Sequence, residues 1–312
     1  MNALMDRLEE LRRVIGNTPV VRLRSFSGGG VDVWLKLEYT NPGGSHKDRA
    51  ALYMISRAVE EGVLKTGGSI VEVSSGNTAI SLAWIGRRLG LDVYIVVDAR
   101  VSKSKVALLK ALGARVEVTP VVPPDHPMFK RNVALRIAKE RNAVFLDQDN
   151  NEANHLAHYE TTGAEIAAQV RSVKAFVMGI GTGGTVTGVG RRLKEELGSS
   201  VRVIGVVPRG SPLDREGGPQ SYIEGLVSSK EPGLYEKFGM YVDELIAVSE
   251  EEALDALRRL VREEGIPAGL STGAALAAIE KLRRRGVLEG DVVTIAADSL
   301  LRYPHLLEKL GA

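Results

Sequence analysis

Short apolar runs alternate with longer amphipathic runs along most of the chain. The apolar runs at 69–73 and 202–207 have the length of buried strands, whereas the run at 79–89 has the 3.6-residue period of a helix. Strands that alternate with helices in this way pair in parallel through right-handed crossovers. The pattern therefore predicts an α/β fold with mostly parallel sheets flanked by helices.

The alternation forms two successive series, preceded by a predicted β-hairpin of strands 20–23 and 31–37. The first series has predicted strands at 69–73, 93–97, 116–118 and 143–146 and predicted helices at 50–61, 79–89, 103–112 and 132–141. The second has predicted strands at 175–178, 202–207, 245–248 and 291–297 and predicted helices at 155–170, 185–197 and 274–285. Residues 208–239 show no period and predict a long loop with one short helix. Because 312 residues exceed the usual size of a single core, we expect two lobes with a cleft between them.

Composition narrows the classes of function. The net charge of +2 is nearly balanced, and basic and acidic residues are interleaved on the predicted helices, which argues against a nucleic-acid partner. The absence of cysteine excludes disulfides, thiolate metal sites and a cysteine nucleophile. The histidines and acidic residues show no metal-ligand spacing, so we expect no metal. No apolar run is long enough to span a membrane, and residues 1–13 are too charged for a signal peptide, so the predicted location is the cytoplasm.

Lys47 is the strongest candidate for a catalytic residue. It lies in the stretch 41–49, Asn-Pro-Gly-Gly-Ser-His-Lys-Asp-Arg, between a predicted strand and a predicted helix. At the first turn of a helix the macrodipole disfavours the ammonium form, so the amine is expected to be a better nucleophile and base than an ordinary lysine. Such a lysine suits a covalent bond to a carbonyl carbon.

Gly179, Gly181 and Gly184 form a Gly-x-Gly-x-x-Gly pattern between a predicted strand and a predicted helix. Backbone amides and the helix dipole at such a turn bind phosphate. A dinucleotide site would also need an acidic residue at the end of the next strand, where this chain has Arg209. The pattern therefore predicts phosphate binding, with an NADP site as a weak alternative and a simple chain-reversing turn as another.

Two further segments precede predicted helices. Residues 74–78, Ser-Ser-Gly-Asn-Thr, offer hydroxyl groups and free amides that suit a carboxylate. Ser271 lies shortly before the helix predicted at 274–285. Taken alone, each segment is best interpreted as an ordinary helix cap. The presence of two anion-binding turns and a helix-start lysine in one chain favours a ligand site.

These segments together resemble the fold-type II pyridoxal-phosphate enzymes, and within them the cysteine synthase (O-acetylserine or O-phosphoserine sulfhydrylase) and cystathionine β-synthase family. The resemblance covers nearly the whole chain and keeps the family's order and approximate spacing. Its motifs are Gly16-Asn17-Thr18-Pro19, Asn41-Pro42 with Lys47-Asp48-Arg49, Ser75-Gly76-Asn77-Thr78, Asn154 with His158-Tyr159 and Thr162-Gly163, Gly181-Thr182-Gly183-Gly184-Thr185, and Gly269-Leu270-Ser271-Thr272-Gly273.

The resemblance implies a role for each motif. Lys47 would hold pyridoxal 5'-phosphate covalently, Asn77 would contact the ring hydroxyl of this cofactor, and Ser271 would face its pyridine nitrogen. The cofactor phosphate would be bound by the phosphate loop, which comprises Gly181, Thr182, Gly183, Gly184 and Thr185. The substrate carboxylate would be bound by the carboxylate loop, which comprises Ser74, Ser75, Gly76, Asn77 and Thr78, with Gln148 nearby.

The resemblance also implies the domain organisation and the reaction. A larger cofactor-binding domain would comprise 1–40 plus 147–312, a smaller mobile domain would comprise 41–146, and two chains would form a homodimer. Lys47 would remove the α-proton of an activated serine while its β-substituent leaves, and sulfide would then add to the β-carbon to give cysteine. A neutral Ser271 hydroxyl cannot keep the ring nitrogen protonated, which favours elimination over transamination. Binding of the carboxylate is expected to close the smaller domain and exclude water.

This chain departs from the family pattern at His46, where an aliphatic or aromatic residue is usual, and at Ser74 and Ala79, where threonine and glycine are usual. The loop that lines the substrate entrance in relatives carries Arg209 and Arg215 here. Because guanidinium groups bind phosphate well, these arginines make O-phosphoserine a candidate substrate beside O-acetylserine.

Cysteine synthase is the leading interpretation, and the alternatives come from several classes. Cystathionine β-synthase shares nearly all of the motifs, although the end at Ala312 leaves no room for the regulatory modules that many of those enzymes append. Serine and threonine dehydratases have a related lysine segment but usually a run of consecutive glycines at the phosphate. An NADP-dependent oxidoreductase and an amino-acid sensor without catalytic activity are more distant alternatives.

Overall fold

A computed structural model describes residues 2–227 and 230–311 of the chain. The described strands are β1 (Val20–Gly28), β2 (Val31–Lys36), β3 (Ser69–Val73), β4 (Asp92–Asp98), β5 (Arg115–Thr119), β6 (Ala143–Phe145), β7 (Val173–Gly179), β8 (Arg202–Pro208), β9 (Glu244–Val248) and β10 (Gly290–Ile295). The described α-helices are α1 (Asn2–Val14), α2 (Lys47–Glu60), α3 (Asn77–Leu89), α4 (Lys103–Ala111), α5 (Lys130–Arg141), α6 (Glu152–Ala157), α7 (Ala164–Gln169), α8 (Gly184–Leu197), α9 (Gly233–Phe238), α10 (Glu250–Glu264), α11 (Leu270–Arg284) and α12 (Pro304–Lys309). Short 3-10 helices lie at Glu38–Thr40, Gly239–Tyr241 and Leu300–Arg302.

The chain divides into two compact units. The first unit contains the residues up to Gly16 together with Asn41–Asn154, and the second contains Asn17–Thr40 together with the residues from His155 onward. The sequence analysis assigned 1–16 to the larger domain, whereas the structure groups them with the smaller unit. The physical reason is that the apolar stripe of α1, which includes Leu8 and Leu11, is buried in the core of that unit.

The first unit is built on a four-stranded parallel sheet of order β5-β4-β3-β6. Successive strand residues point to opposite faces, so each face has its own core. On one face Ile70 and Ile95 pack with residues of α1, α2 and α3. On the other face Val71 and Val96 pack against Val133 of α5. The sheet is therefore buried on both sides, as a parallel sheet requires.

The second unit is built on a six-stranded sheet of order β1-β2-β10-β7-β8-β9. Only the β1–β2 pair is antiparallel among these described pairings, and the other four pairs are parallel. Val292 of β10 faces a core formed with α10 and α11, whereas the next residue, Val293, faces a core formed with α7 and α8. The α/β class with mostly parallel sheets is confirmed.

The prediction of one continuous α-helix at 155–170 is wrong. The chain there forms the end of α6, a π-helical turn at His158–Gly163, and α7. This wider turn contacts α8 very closely, since a Cβ added at Gly163 would lie 2.6 Å from Cβ of Arg192. None of the described helices is long and apolar enough to cross a membrane.

Lys36 places a charged group in the interior of the second unit. Its side chain is 0% exposed, and its Nζ lies 2.7 Å from a carboxylate oxygen of Glu165. Nζ also donates hydrogen bonds to the Thr18 carbonyl at 3.0 Å and to Gln169 Oε1 at 2.9 Å. The Asn17 amide donates to Glu165 at 3.0 Å. Lys36 therefore holds the Asn17-Thr18 turn against the end of β2 and the helix α7.

We expect Lys36→Met to lower the free energy of unfolding by about 3 kcal/mol, because removing one partner of a buried ion pair leaves the other uncompensated. Chemical unfolding followed by circular dichroism measures the change. Lys174→Met, at an exposed lysine on β7, is the matched control and should change stability by less than about 0.5 kcal/mol. Equal stability of the two variants would contradict the assigned role of Lys36.

Candidate active site

Lys47 is the first residue of α2, as the sequence predicts. The preceding loop is folded tightly, since the Gly44 amide donates to the Asn41 carbonyl at 2.7 Å. The Asn41 side chain in turn accepts from the Gly16 amide at 2.8 Å. The residue before Lys47, His46, occupies the N-cap position without a side-chain capping hydrogen bond. The lysine is thus fixed at the start of a helix by backbone hydrogen bonds of its own loop.

The amine of Lys47 has an unusually low affinity for a proton. Burial lowers the pKa of Lys47 from 10.5 to about 8, and the negative charges of Asp149 and Glu72 oppose this change. The sequence analysis attributed a lowered pKa to the helix macrodipole, whereas loss of water is the main cause here. Near pH 8 about half of the Lys47 side chains carry a free amine, which is the form that acts as nucleophile and base.

Glu72 was missed by the sequence analysis. It lies in β3 with 2% of its surface exposed, and burial raises its pKa to about 8. Its carboxyl oxygens accept from the Val73 amide at 2.7 Å and from the Gln148 amide at 3.1 Å. The signal was present in the sequence, since an acidic residue in the apolar run Ser-Ile-Val-Glu-Val cannot be ordinary core.

The carboxylate loop connects β3 to α3. The N-cap of α3 is Gly76, which offers no side-chain capping bond, so the expectation of an ordinary cap at this segment is wrong. Thr78 is the second residue of α3, and its hydroxyl donates to Gln148 Oε1 at 2.6 Å. Gln148 Nε2 lies 3.5 Å from the Val73 carbonyl. The structure therefore brings Gln148 beside the loop.

His46 adjoins Lys47 and is 7% exposed. Burial lowers its pKa well below the ordinary value, and the positive charges of Lys47 and Arg49 lower it further. The imidazole is therefore neutral at physiological pH. A neutral ring adds no positive charge beside the Lys47 amine, which keeps the two neighbouring groups compatible.

The phosphate loop runs from the end of β7 at Gly179 to the start of α8 at Gly184. Gly183 is the N-cap of α8 and has a φ of 89°, a left-handed conformation that favours glycine. A Cβ at Gly181 would lie 2.5 Å from the Gly225 carbonyl, and one at Gly183 would lie 2.8 Å from the Tyr235 amide nitrogen. These glycines therefore allow two neighbouring segments to approach the loop.

The donors of this loop suit a phosphate group. The first amides of a 14-residue helix point out of its N-terminus, where the macrodipole favours an anion. Thr182 and Thr185 add hydroxyl groups that are 9% and 5% exposed. The loop thus offers the amides and hydroxyls that a phosphate dianion accepts hydrogen bonds from.

Ser271 is the second residue of α11, and the N-cap is Gly269. The expectation that Ser271 caps this helix is therefore wrong, because α11 begins at Leu270 and not at the predicted residue 274. Gly269 is fixed in place by a hydrogen bond from its amide to the Asp298 carbonyl at 3.0 Å. The half-buried Ser271 hydroxyl is thus not committed to capping.

The two arginines of the entrance loop have different surroundings. Arg209 lies directly after β8, and its guanidinium is 3.7 Å from Glu252, which also pairs with Lys281. Arg215 is exposed and lines a cavity of about 320 Å³ together with Tyr235. Arg215 is therefore the more exposed of the two, and the carboxylates of Asp214, Glu216, Asp243 and Glu244 line the same cavity.

Lys47, the carboxylate loop and Gln148 belong to the first unit. The phosphate loop, Ser271, Arg209 and Arg215 belong to the second. Among residues 2–227 and 230–311, no group of three or more His, Asp or Glu side chains is arranged to hold a metal ion.

A model of the pyridoxal-phosphate dependent enzyme family matches residues 11–298. The cysteine synthase of Staphylococcus aureus (strain N315) is 38% identical over 302 residues, which cover 95% of each chain. The cystathionine beta-synthase of Apis mellifera is 37% identical over 95% of this chain, which spans only 60% of the length of that relative.

A solved structure adds a comparison of the fold. The O-acetylserine dependent cystathionine beta-synthase from Helicobacter pylori superposes with a TM-score of 0.84 at 32% identity, covering 95% of this chain and 96% of that one. Both the family model and these relatives span nearly all of the described chain. The chain therefore belongs to the family of pyridoxal-phosphate dependent enzymes, and within it to the cysteine synthase and cystathionine β-synthase group.

Proposed function

We propose that the chain is a cysteine synthase, which replaces the β-substituent of an O-activated L-serine with sulfide to give L-cysteine. The observation that carries the proposal is the half-buried Lys47, whose pKa of about 8 suits covalent and base chemistry near neutral pH. The relative from Staphylococcus aureus supports the reaction, because the similarity extends over 95% of both chains. The H. pylori structure, named for its dependence on O-acetylserine, supports an acetyl-activated donor.

The residues of this chain fit pyridoxal phosphate. Lys47 would form the covalent bond to the cofactor aldehyde, and Asn77 would contact the ring hydroxyl. The phosphate loop would bind the phosphate through the amides at the start of α8 and the hydroxyls of Thr182 and Thr185. Ser271 would face the pyridine nitrogen with a hydroxyl that capping does not use. When bound, pyridoxal phosphate withdraws electrons from the substrate α-carbon and so weakens its bond to hydrogen.

Lys47 would move the protons of the reaction. Once the substrate amine has displaced it, the free amine can remove the α-proton, and the resulting ammonium can return a proton after sulfide has added. A pKa of about 8 suits both directions near neutral pH, because neither form is strongly disfavoured. The charge of Asp149 and that of ionised Glu72 raise the pKa of Lys47, and Glu72 contributes only in its ionised form, which is half populated near pH 8.

The carboxylate loop would orient the amino acid. The first amides of α3 are aimed at the space before its N-terminus, and a carboxylate there gains from the helix dipole. Gln148 is held beside the loop by the Thr78 hydroxyl. Residues of the smaller domain would move toward the substrate when its carboxylate binds, which would exclude water from the reacting carbon.

The proposal also concerns which leaving group the activated serine carries. Arg215 is exposed and beside a cavity, so its guanidinium has the freedom to bind an O-phosphate. Acceptance of O-phosphoserine beside O-acetylserine is therefore proposed. A homodimer and a cytoplasmic location complete the proposal, and both rest on the resemblance to the family.

Cystathionine β-synthase is the second candidate, and the relatives from Apis mellifera and Helicobacter pylori favour it. The two activities differ in the sulfur nucleophile, which is homocysteine in one and sulfide in the other. Both begin with loss of the β-substituent, so the nucleophile must be tested directly.

We expect purified protein to form L-cysteine from O-acetylserine and sulfide, and Lys47→Ala to lose this turnover by at least about a thousandfold. The measurement combines chromatographic assay of cysteine and cystathionine with parallel reactions that contain O-acetylserine, O-phosphoserine or serine. Faster turnover with homocysteine than with sulfide would replace cysteine synthase by cystathionine β-synthase. Release of pyruvate with no sulfur product would favour a dehydratase.

The pH dependence of Lys47 gives an independent check. In cofactor-free folded protein, pulse acylation of Lys47 should rise with pH with a midpoint near 8 and then level off, because only the free amine reacts. In urea-unfolded protein the same peptide should keep gaining reactivity toward pH 10.5, the ordinary lysine pKa. Peptide mass spectrometry follows the label. A midpoint near 10.5 in the folded protein would contradict the assigned environment.

Glu72→Gln should move the labelling midpoint of Lys47 to lower pH. The sign follows from charge, since the fraction of Glu72 that is ionised near pH 8 stabilises the ammonium form and glutamine does not. Glu140→Gln, at an exposed position on α5, is the matched control and should leave the midpoint in place. An unchanged midpoint in Glu72→Gln would show that Glu72 has no electrostatic influence on the lysine.

Arg215→Gln should lower kcat/KM for O-phosphoserine by roughly tenfold or more and change kcat/KM for O-acetylserine by less than about twofold. The reason is that only the phosphate donor presents a dianion to the guanidinium. Arg209→Gln should have the smaller effect, because Arg209 already faces Glu252. Unaltered O-phosphoserine turnover in Arg215→Gln would remove the basis for a phosphate-binding role of this residue.

A further inference from the structure

Asp48 is a fully buried carboxylate next to the catalytic candidate Lys47 in the sequence. It is the second residue of α2 and is 0% exposed. Its side chain accepts hydrogen bonds from the Gly43 amide at 2.5 Å, from the Ser81 hydroxyl at 2.6 Å and from Trp84 Nε1 at 3.0 Å. An isolated buried carboxylate is strongly disfavoured, so these donors are a condition of its presence.

The three donors come from two different segments of the first unit. Gly43 lies in the loop that leads into Lys47, whereas Ser81 and Trp84 lie on α3. Ser81 is one helical turn beyond Asn77, where the carboxylate loop ends. One carboxylate therefore joins the segment that carries the lysine to the helix that carries the carboxylate loop.

The surroundings of Gly43 show how closely these groups approach. A Cβ at Gly43 would clash with Oδ1 of Asp48 and with Nε1 of Trp84. Around this contact Ala51, Leu52 and Ile55 of α2 share one hydrophobic core with Leu82 of α3. The polar contact is therefore enclosed by packed side chains, where a hydrogen bond to a charged group is strong and directional.

We propose that Asp48 is a positioning residue that fixes the Lys47 amine relative to the carboxylate loop. This inference rests on the proposed function, in which the lysine and the loop act on the same amino acid. A substrate held by its carboxylate presents its α-carbon at a fixed distance from that loop. The lysine must be held against the same loop for its amine to reach the α-proton, since small displacements of a base are costly.

The proposal separates Asp48 from an ordinary stabilising residue. A residue that only adds stability lowers the melting temperature when its partners are removed and leaves binding unchanged below that temperature. When the partners of a positioning residue are removed, the bound substrate also changes its position relative to the Lys47 amine. The effect should appear in the first turn of α3 and in the loop before Lys47 together, because the carboxylate contacts both.

The test uses purified protein with its cofactor and the variants Ser81→Ala, Trp84→Phe and the double variant. These changes remove the α3 donors and leave Asp48 and Lys47 in place. In the double variant we expect amide hydrogen exchange of residues 43–48 and 76–81 to be about tenfold faster. The kcat with O-acetylserine should fall about tenfold, because a displaced base slows removal of the α-proton, and KM should change by less than about threefold.

Two matched controls belong to the experiment. Trp34→Phe removes a comparable bond, from Trp34 Nε1 to Asp291 at 2.8 Å, in the second unit. Ser56→Ala removes a buried serine hydroxyl from α2, the helix that carries Lys47. Both should leave exchange at 43–48 and 76–81 and the kcat unchanged within about twofold.

Asp48→Asn provides a variant that distinguishes the two segments. The asparagine oxygen still accepts from Ser81 and Trp84, but its NH2 group then faces the Gly43 amide, which is also a donor. Faster exchange is therefore expected mainly at 43–48, with a smaller change at 76–81. If this variant does not fold, the Ser81 and Trp84 variants still decide the question.

The outcomes separate the positioning role from the proposed function. Exchange and kcat equal to those of the controls overturn the positioning role, as does faster exchange with an unchanged kcat. A lowered kcat with unchanged exchange also overturns it, because the effect then does not pass through these hydrogen bonds. If the unaltered protein forms no cysteine, the proposed function fails, and exchange alone then decides whether Asp48 couples the two segments.

Discussion

The removal of water from the Lys47 amine is the constraint on which the site depends. Burial alone would push the lysine to its neutral form, and the acidic groups of Glu72 and Asp149 moderate the change so that the pKa stays near 8. The carboxyl of Glu72 is shifted in the opposite direction by the same burial. The amine of Lys47 and the carboxyl of Glu72 therefore have similar pKa values and lie in the same unit. Near that pH each group gains or loses a proton at little cost in free energy.

Lys36 and Lys47 show how the surroundings of a lysine decide what its side chain does. The Nζ of Lys36 pairs with Glu165 and donates hydrogen bonds to Thr18 and Gln169, and these contacts hold the Asn17-Thr18 turn in place. The negative charges of Asp149 and Glu72 raise the pKa of Lys47, but Lys47 makes no ion pair within the described residues. The first is a structural cation, and the second keeps its nitrogen available for covalent chemistry.

The sequence was sufficient for the α/β class, for the place of the 179–184 glycines between a strand and a helix, and for the position of Lys47 at a helix start, because these depend on local signals such as period, glycine spacing and helix starts. The placement of α1 was wrong, since an amphipathic stripe does not specify which core it enters. Ser271 was misjudged because a serine near a helix start is usually a cap, and the true start at Leu270 depends on the distant Asp298. Glu72 was overlooked although its charge interrupts a buried strand.

The glycines of the phosphate loop and the contact between Gly43 and Asp48 meet the same physical requirement, one in each unit: a neighbouring group must come close to the backbone. A phosphate loop needs its amides free, so neighbouring backbone must approach it without side chains between, as at Gly181 and Gly183. The lysine loop needs a fixed path, so Gly43 makes room for a carboxylate that accepts its amide. In both places the glycine has no side chain, so a polar group can approach the backbone where a Cβ would block it. Local sequence shows the glycine, whereas the group that approaches it is set by the tertiary fold.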